Sequence, residues 1–456
     1  MTFPLFNALL FYLTLPFWNG HLKSQRLPDS APISVIDRFH NCTTVPTGLG
    51  TSDLADSRFN TILNAREIES ALQSLESHYD VSLTHAPYKS YWGYAPLVAH
   101  IKFKPLPTPR RAPSTKEKIP QTVFLTSGFQ GRERGGPDSL IYFISDLLYA
   151  YENSKGLTYG RVYFTHDQVR QALSQNIMIL PMTNPDGLIW DQRHDSCWGK
   201  NLNLTMRKSS PFGTKLRGIG VNIDRNFDIA WDYRRIFSKK ATDVASDNPL
   251  HELYHGTEPF SEAESRNVAW VINNHPEIRW YMNIGTNSRA INHPWDISGV
   301  QILDPTQNWR NETYDGKRGD PEYSYGEFMK ETERNRFHRV AYNIAEQVQV
   351  VYGKEFKHQH DVKEKSKLFL GASGTATDWA YSQHIVNKKR EVYSLKFQFG
   401  LSDEEAEAIA LRGGCPYYPT SEQYKRGMIE AAAGYMRFLL GVSEEFQSEP
   451  PRVPLE

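Results

Sequence analysis

The ten residues SGFQGRERGG, 127–136, decide how this chain is read. They follow TVFLT, 122–126, a short apolar and β-branched run of the kind that forms a buried strand. A strand that runs into a tight turn is where an open α/β sheet places its site. Within the turn Glu133 stands three residues after Gln130, with Arg132 between them. That spacing sets two side chains on one turn, as a pair of metal ligands requires. Glutamine, however, offers only a neutral amide oxygen, a poor donor for a metal that favours imidazole. The rest of the chain must say whether a metal site has been lost here.

Working outward, IMIL at 177–180 is a second strand signal, ended by PMTNPDG, and 278–284 is a third. Residues 392–399 alternate: Tyr393, Leu395, Phe397 and Phe399 face one way, Ser394, Lys396 and Gln398 the other. Asn64-x-x-Glu67 is a capping box before Ile68, Ala71, Leu72 and Leu75 at helical spacing. Ser261-x-x-Glu264 is a second, before Val268, Val271 and Ile272. Residues 425–440 read as a closing amphipathic helix. Strands that alternate with helices predict one α/β domain, residues 57–442, with a central mixed, largely parallel sheet flanked by helices. Residues 105–120 and 304–323 read as insertions, and 443–456 as a tail.

Of the 456 residues, 52 are Lys or Arg and 52 are Asp or Glu, so the net charge is zero. That argues against a broad nucleic-acid or anionic-membrane surface. The apolar run at 3–18 is too short for a comfortable membrane span and is broken by Pro4, Asn7 and Pro16. Residues 1–20 read as a secretory signal peptide, with a short membrane anchor or a misplaced start as the alternatives. Residues 21–56 read as a polar leader or pro-like segment. Three sequons, at Asn41, Asn203 and Asn311, fit a secreted chain. Cys42, Cys197 and Cys415 allow at most one internal disulfide, and the sequence does not say which pair.

Taken in order, SGFQGRE, PMTNPDG, GVNIDRNFDIAW, PFSEAESR, NIGTNSRAINHPW, GASGTATDWAY and YSLKFQFG resemble the zinc carboxypeptidase family of the carboxypeptidase A/B type. The resemblance covers residues 57–442 and implies that family's fold. It also implies a chemistry. Two histidines and a glutamate hold zinc with one position left for water. The metal activates the water, a glutamate moves the proton, and arginines receive the peptide's terminal carboxylate.

Carried over position by position, most of these roles are missing. The zinc-ligand positions fall on Gln130, Glu133 and Gly285, of which only Glu133 is a donor of the family's kind. The general base falls on Gln398, the carbonyl-polarising arginine on Gly199 and the substrate-closing tyrosine on Leu370. The acidic partner of the first histidine falls on Asn222, and the substrate-binding asparagine on Asp224. Arg132 and Arg225 remain. Glycine has no donor atom, and glutamine cannot accept and return a proton. Loss of a single outer partner costs about 10–100-fold in metal affinity, and general base catalysis is worth about 10²–10⁴-fold.

The resemblance therefore implies a secreted, non-catalytic homologue, with no zinc cofactor, no nucleic-acid partner and no membrane span. Its remnant of Arg132, Arg225 and Asp224 is expected to hold peptide C-termini or other carboxylates. Alternatively the two arginines pair with Glu133 and Asp224. Two further readings are an active metallocarboxypeptidase with other ligands, and a structural or protein-interaction module of the cell surface or wall. His358-Gln-His360-Asp361 reads as a solvated loop, and His293 as a packed residue.

Overall fold

The computed structural model describes residues 26–51, 57–104, 121–205, 220–352, 361–362 and 371–448. The signal-peptide and leader residues 1–25, the insertion at 105–120, and His358, His360 and Leu370 lie outside the described residues. Eight strands form the main sheet: β1 (Val81–His85), β2 (Leu97–Ile101), β3 (Thr122–Ser127), β4 (Asn176–Leu180), β5 (Ile278–Thr286), β6 (Ala290–Asn292), β7 (Asp361–Val362) and β8 (Tyr393–Phe399). Their order is β1-β2-β4-β3-β5-β8-β6-β7. The central run β4-β3-β5-β8 is parallel, while β1 and β2 at one edge and β6 at the other pair antiparallel. Every residue of β3 and β5 is buried, as in strands covered on both faces.

Helices Gly136–Glu152, Glu331–Tyr352 and Ser421–Ser448 pack together against the sheet; Ala263–Asn274 and Ala376–Val386 form a second group. The capping box at Asn64 forms as expected: its side chain accepts from the Glu67 amide, and Glu67 reaches back to the Asn64 amide. The second expected box does not form. Helix Ala263–Asn274 begins after Glu262, which makes no side-chain cap, and the Ser261 hydroxyl and the Glu262 amide are both bonded to Asn226. The closing helix is longer at both ends than 425–440, and it runs into the stretch read as a tail. Glu445 anchors that end through Arg336 and Arg339, at 3.2 and 2.5 Å.

Residues 26–51 lie on the domain, with Ala31, Phe39 and Leu49 in its core. Arg38 reaches the buried Glu67 at 2.5 Å. The stretch at 304–323 is wound around the fully buried Arg318, which donates to the carbonyls of Asn308, Asn311 and Ile236 and to Asp315. One disulfide joins Cys197 to Cys415, and Cys42 is free.

Candidate functional site: the turn after the third strand

The parallel strands deliver the site. β3 ends at Ser127, in register with Ile284 of β5, and the Gln130–Glu133 turn follows directly. The Gln130 carbonyl accepts from the Glu133 amide at 3.1 Å. On the other side of β5, Gln398 of β8 lies opposite Gly285 and Lys396 opposite Asn283. Pairing thus brings Gly285 and Gln398 side by side. In β8 only Lys396 and Gln398 are partly exposed, so the predicted alternation holds.

Two glycines leave room that neighbouring side chains fill. Neither Gly199 nor Gly285 has a left-handed backbone, so what each provides is room. A Cβ at Gly285 would stand 2.9 Å from Oε1 of Glu133, so the Glu133 carboxylate occupies the space a side chain there would need. A Cβ at Gly199 would stand 3.0 Å from Cζ and Nε of Arg132 and 3.0 Å from Oε1 of Gln130. Arg132 donates from Nε to that same Gln130 oxygen at 3.0 Å. Its guanidinium also meets Glu252 at 3.4 Å and lies 4.5 Å from the centre of the Tyr417 ring.

Glu133 is 6% exposed, and burial pushes its carboxyl up to about 7 against the opposing charges of Lys396 and Arg132. Asp224 behaves otherwise. Burial alone would raise its pKa, yet Lys396 and Arg225 hold it below the usual carboxylate range. Lys396 donates to Asp224 Oδ2 at 2.7 Å, and Oδ1 accepts from the Ala376 amide at 3.0 Å. Arg225 turns to main-chain oxygens instead: Nε donates to Val244 at 2.9 Å and its NH1 group to Asp224 at 2.7 Å.

The structure therefore gathers Gln130, Arg132, Glu133, Gly199, Gly285 and Gln398 at the strand ends, with Asp224 bound to the same face through Lys396. The expected pairing of arginines with carboxylates takes different partners. Arg132 pairs with Glu252 rather than Glu133, and the Asp224 carboxylate pairs with Lys396 rather than Arg225. Asn222 accepts from the Asp224 amide and donates to the Glu252 carbonyl, which fixes the local turn. His293 stacks on Phe337 and is buried, as expected of a packed residue.

Lys396, Glu252 and Tyr417 were not foreseen. Lys396 was within reach of the sequence, since it sits two residues before Gln398 on the same face of an alternating strand. Glu252 and Tyr417 lie in irregular segments and carry no local signal. Tyr417 is placed by the Cys197–Cys415 disulfide, which ties its loop to the segment before Gly199. Among the described residues, no three His, Cys, Asp or Glu side chains group as a metal site.

Below the Gly199 segment, Asn201 donates to Glu262 at 2.7 Å and to Glu264 at 3.2 Å. Burial, and then the neighbouring Glu262 charge, push Glu264 up to about 8. A carboxyl raised in the folded state contributes stability that is fully present below its unfolded pKa and lost as pH rises through the folded value. Stability should therefore drop between about pH 4.5 and 8. Glu264→Gln should make that drop shallower, leaving the part due to Glu133, Glu327 and Glu430, and be more stable than the parent by about 2 kcal/mol at alkaline pH. Chemical denaturation across pH checks this; parallel curves for the two proteins would contradict it.

A model described as zinc carboxypeptidase matches residues 68–425. Mast cell carboxypeptidase A of Rattus norvegicus is 27% identical over 176 residues, which is 38% of this chain and 36% of that protein. The inactive metallocarboxypeptidase ECM14 of Paracoccidioides lutzii is 27% identical over 192 residues, 41% of this chain and 28% of that one. The chain thus spans well under half the length of these two relatives. Among solved structures, thrombin activatable fibrinolysis inhibitor superposes with a TM-score of 0.58 at 19% identity, covering 89% of this chain and 80% of the other. Carboxypeptidase A from Helicoverpa armigera gives 0.57 at 16% identity, covering 88% and 78%. At such identities the structures show the shared fold.

Proposed function

The chain belongs to the zinc carboxypeptidase family, and from that premise we propose that it is a non-catalytic, secreted member: a carboxypeptidase fold without catalytic zinc or peptidase activity. One observation carries the reading. The Glu133 carboxylate occupies the space a side chain at Gly285 would need, and Arg132, bonded to Gln130, fills the space beside Gly199.

The donor set does not fit zinc. Gly285 brings no ligand atom. The Gln130 amide oxygen is a weak donor and already receives Arg132. Glu133 alone is one carboxylate, buried where it is half-neutral near pH 7. Structural and catalytic zinc sites need three or four strong protein ligands. Gln398, on the strand beside Gly285, has no proton to exchange as a general base. The existence of relatives named inactive metallocarboxypeptidases supports the same reading.

A carboxylate-terminated ligand remains part of the proposal, and Arg225 is its contact. Arg225 donates to main-chain oxygens, and Lys396 rather than Arg225 takes the Asp224 carboxylate, so Arg225 is the guanidinium a ligand carboxylate would meet. Arg132 is less suited, because Glu252 and Tyr417 already cover it. The test is hydrolysis of peptides with free C-terminal aliphatic, aromatic and basic residues, with and without a zinc chelator. No chelator-sensitive release of the terminal amino acid is expected. Release that the chelator abolishes would overturn the proposal.

A further inference from the structure

The loop at 86–95 presents an aromatic surface that nothing in the remnant site uses. Tyr91 is 52% exposed, and Tyr88 and Trp92 are each 39% exposed. Trp92 lies 6.3 Å from Trp190, so the rings continue from the loop onto helix Pro185–His194. Arginines sit among them: Arg266 lies 4.7 Å from the centre of the Tyr88 ring, and Arg193 lies 6.0 Å from that of Trp92. Both arginines, and Lys89, are exposed.

The loop is held, not loose. The Asp186 carboxylate, fully buried, accepts from the Ser90 hydroxyl at 2.6 Å and the Trp92 amide at 2.8 Å. Asn267, 1% exposed, bonds both the amide and the carbonyl of Tyr88. Rigid, exposed tyrosine and tryptophan rings give contact area at low entropic cost, which is what a binding surface needs. Exposed aromatic clusters of this kind mark interaction sites.

The charge says what fits. Of the carboxylates on and just after helix Pro185–His194, Asp186 holds the loop, and Asp191 and Asp195 are paired with Arg134. The surface therefore offers cations and ring faces with its negative charge withdrawn. We propose that Tyr88, Tyr91, Trp92 and Trp190, with Arg193 and Arg266, form a docking surface for an acidic, aromatic-bearing segment of a partner protein. Carboxylates would meet the guanidiniums and apolar rings would meet the tryptophans, with charge setting encounter and orientation and the rings providing the anchor.

The probe is fluorescein-labelled poly(Glu,Tyr), titrated with the full chain and read by fluorescence polarisation. Poly(Lys,Tyr), polyglutamate and polygalacturonate serve as comparisons. Saturable binding of poly(Glu,Tyr) is expected, weaker at higher salt, with poly(Lys,Tyr) unbound. Trp92→Ala and Arg193→Glu should each weaken binding about tenfold. Tyr91→Ala, at the most exposed ring, keeps the test open if the tryptophan variant does not fold. Tyr163→Ala, at another exposed ring, should leave binding unchanged. Absent binding, or binding indifferent to these variants, would overturn the proposal. Capture of polygalacturonate but not poly(Glu,Tyr) would overturn it in favour of an acidic glycan.

Discussion

The Lys396→Met variant should unfold with about 3–5 kcal/mol less free energy than the parent, because it strands a buried carboxylate. Asp224 is 3% exposed, and its Oδ2 has Lys396 at 2.7 Å. Methionine keeps the length of the lysine stem but removes the charge. Asp224 must then remain ionised without its nearest cation, or take up a proton. The second course raises its pKa from below the usual range, so the loss should be greatest at neutral pH and shrink in acid. Removing both charges, in Lys396→Met with Asp224→Asn, should recover most of the loss, since no buried charge is left unpaired. Urea denaturation of the two variants decides it. A loss below about 1 kcal/mol in the single variant would show that the pair is dispensable.

Arg134→Met should produce a loss of similar size, about 3–5 kcal/mol. The Arg134 side chain is 1% exposed and that of Asp191 is fully buried, and they meet at 3.0 Å. Arg134 also reaches Asp195 at 2.7 Å and lies 3.4 Å from the centre of the Tyr418 ring. Asp191 in turn accepts from the Trp198 amide and the Tyr418 hydroxyl. One arginine thus joins the turn after β3, helix Pro185–His194 and the loop carrying Cys415. Its loss should loosen the turn that holds Gln130 and Glu133, and faster amide exchange there would report it. Unchanged exchange at residues 129–135, with an unchanged unfolding midpoint, would contradict this role.

These two residues show what sequence could and could not reveal. β3, β4, β5 and β8 were legible because central parallel strands are apolar throughout or alternate cleanly, and burial demands those patterns. The helix from Asn64 was legible because a capping box is local chemistry. The box at Ser261 misled: that serine is bonded to Asn226, far along the chain. That Gln130, Gly199, Gly285 and Gln398 belong to one site was expected from the ordered motifs that carry them, and the structure brings them together. Their present contacts were not legible. That Glu133 lies in the room of Gly285, or that Arg132 finds Glu252, depends on approach between segments with no shared period. Lys396 lies between: its face was readable, but its partner Asp224, 172 residues away, was not.

The central claim is that the site has closed over its own losses and no longer holds zinc. The most direct test is zinc content per chain of the purified protein, by elemental analysis after dialysis against trace zinc. The account predicts almost none, and no rise in unfolding temperature when zinc is added. One zinc per chain, lost together with stability on chelation, would contradict it.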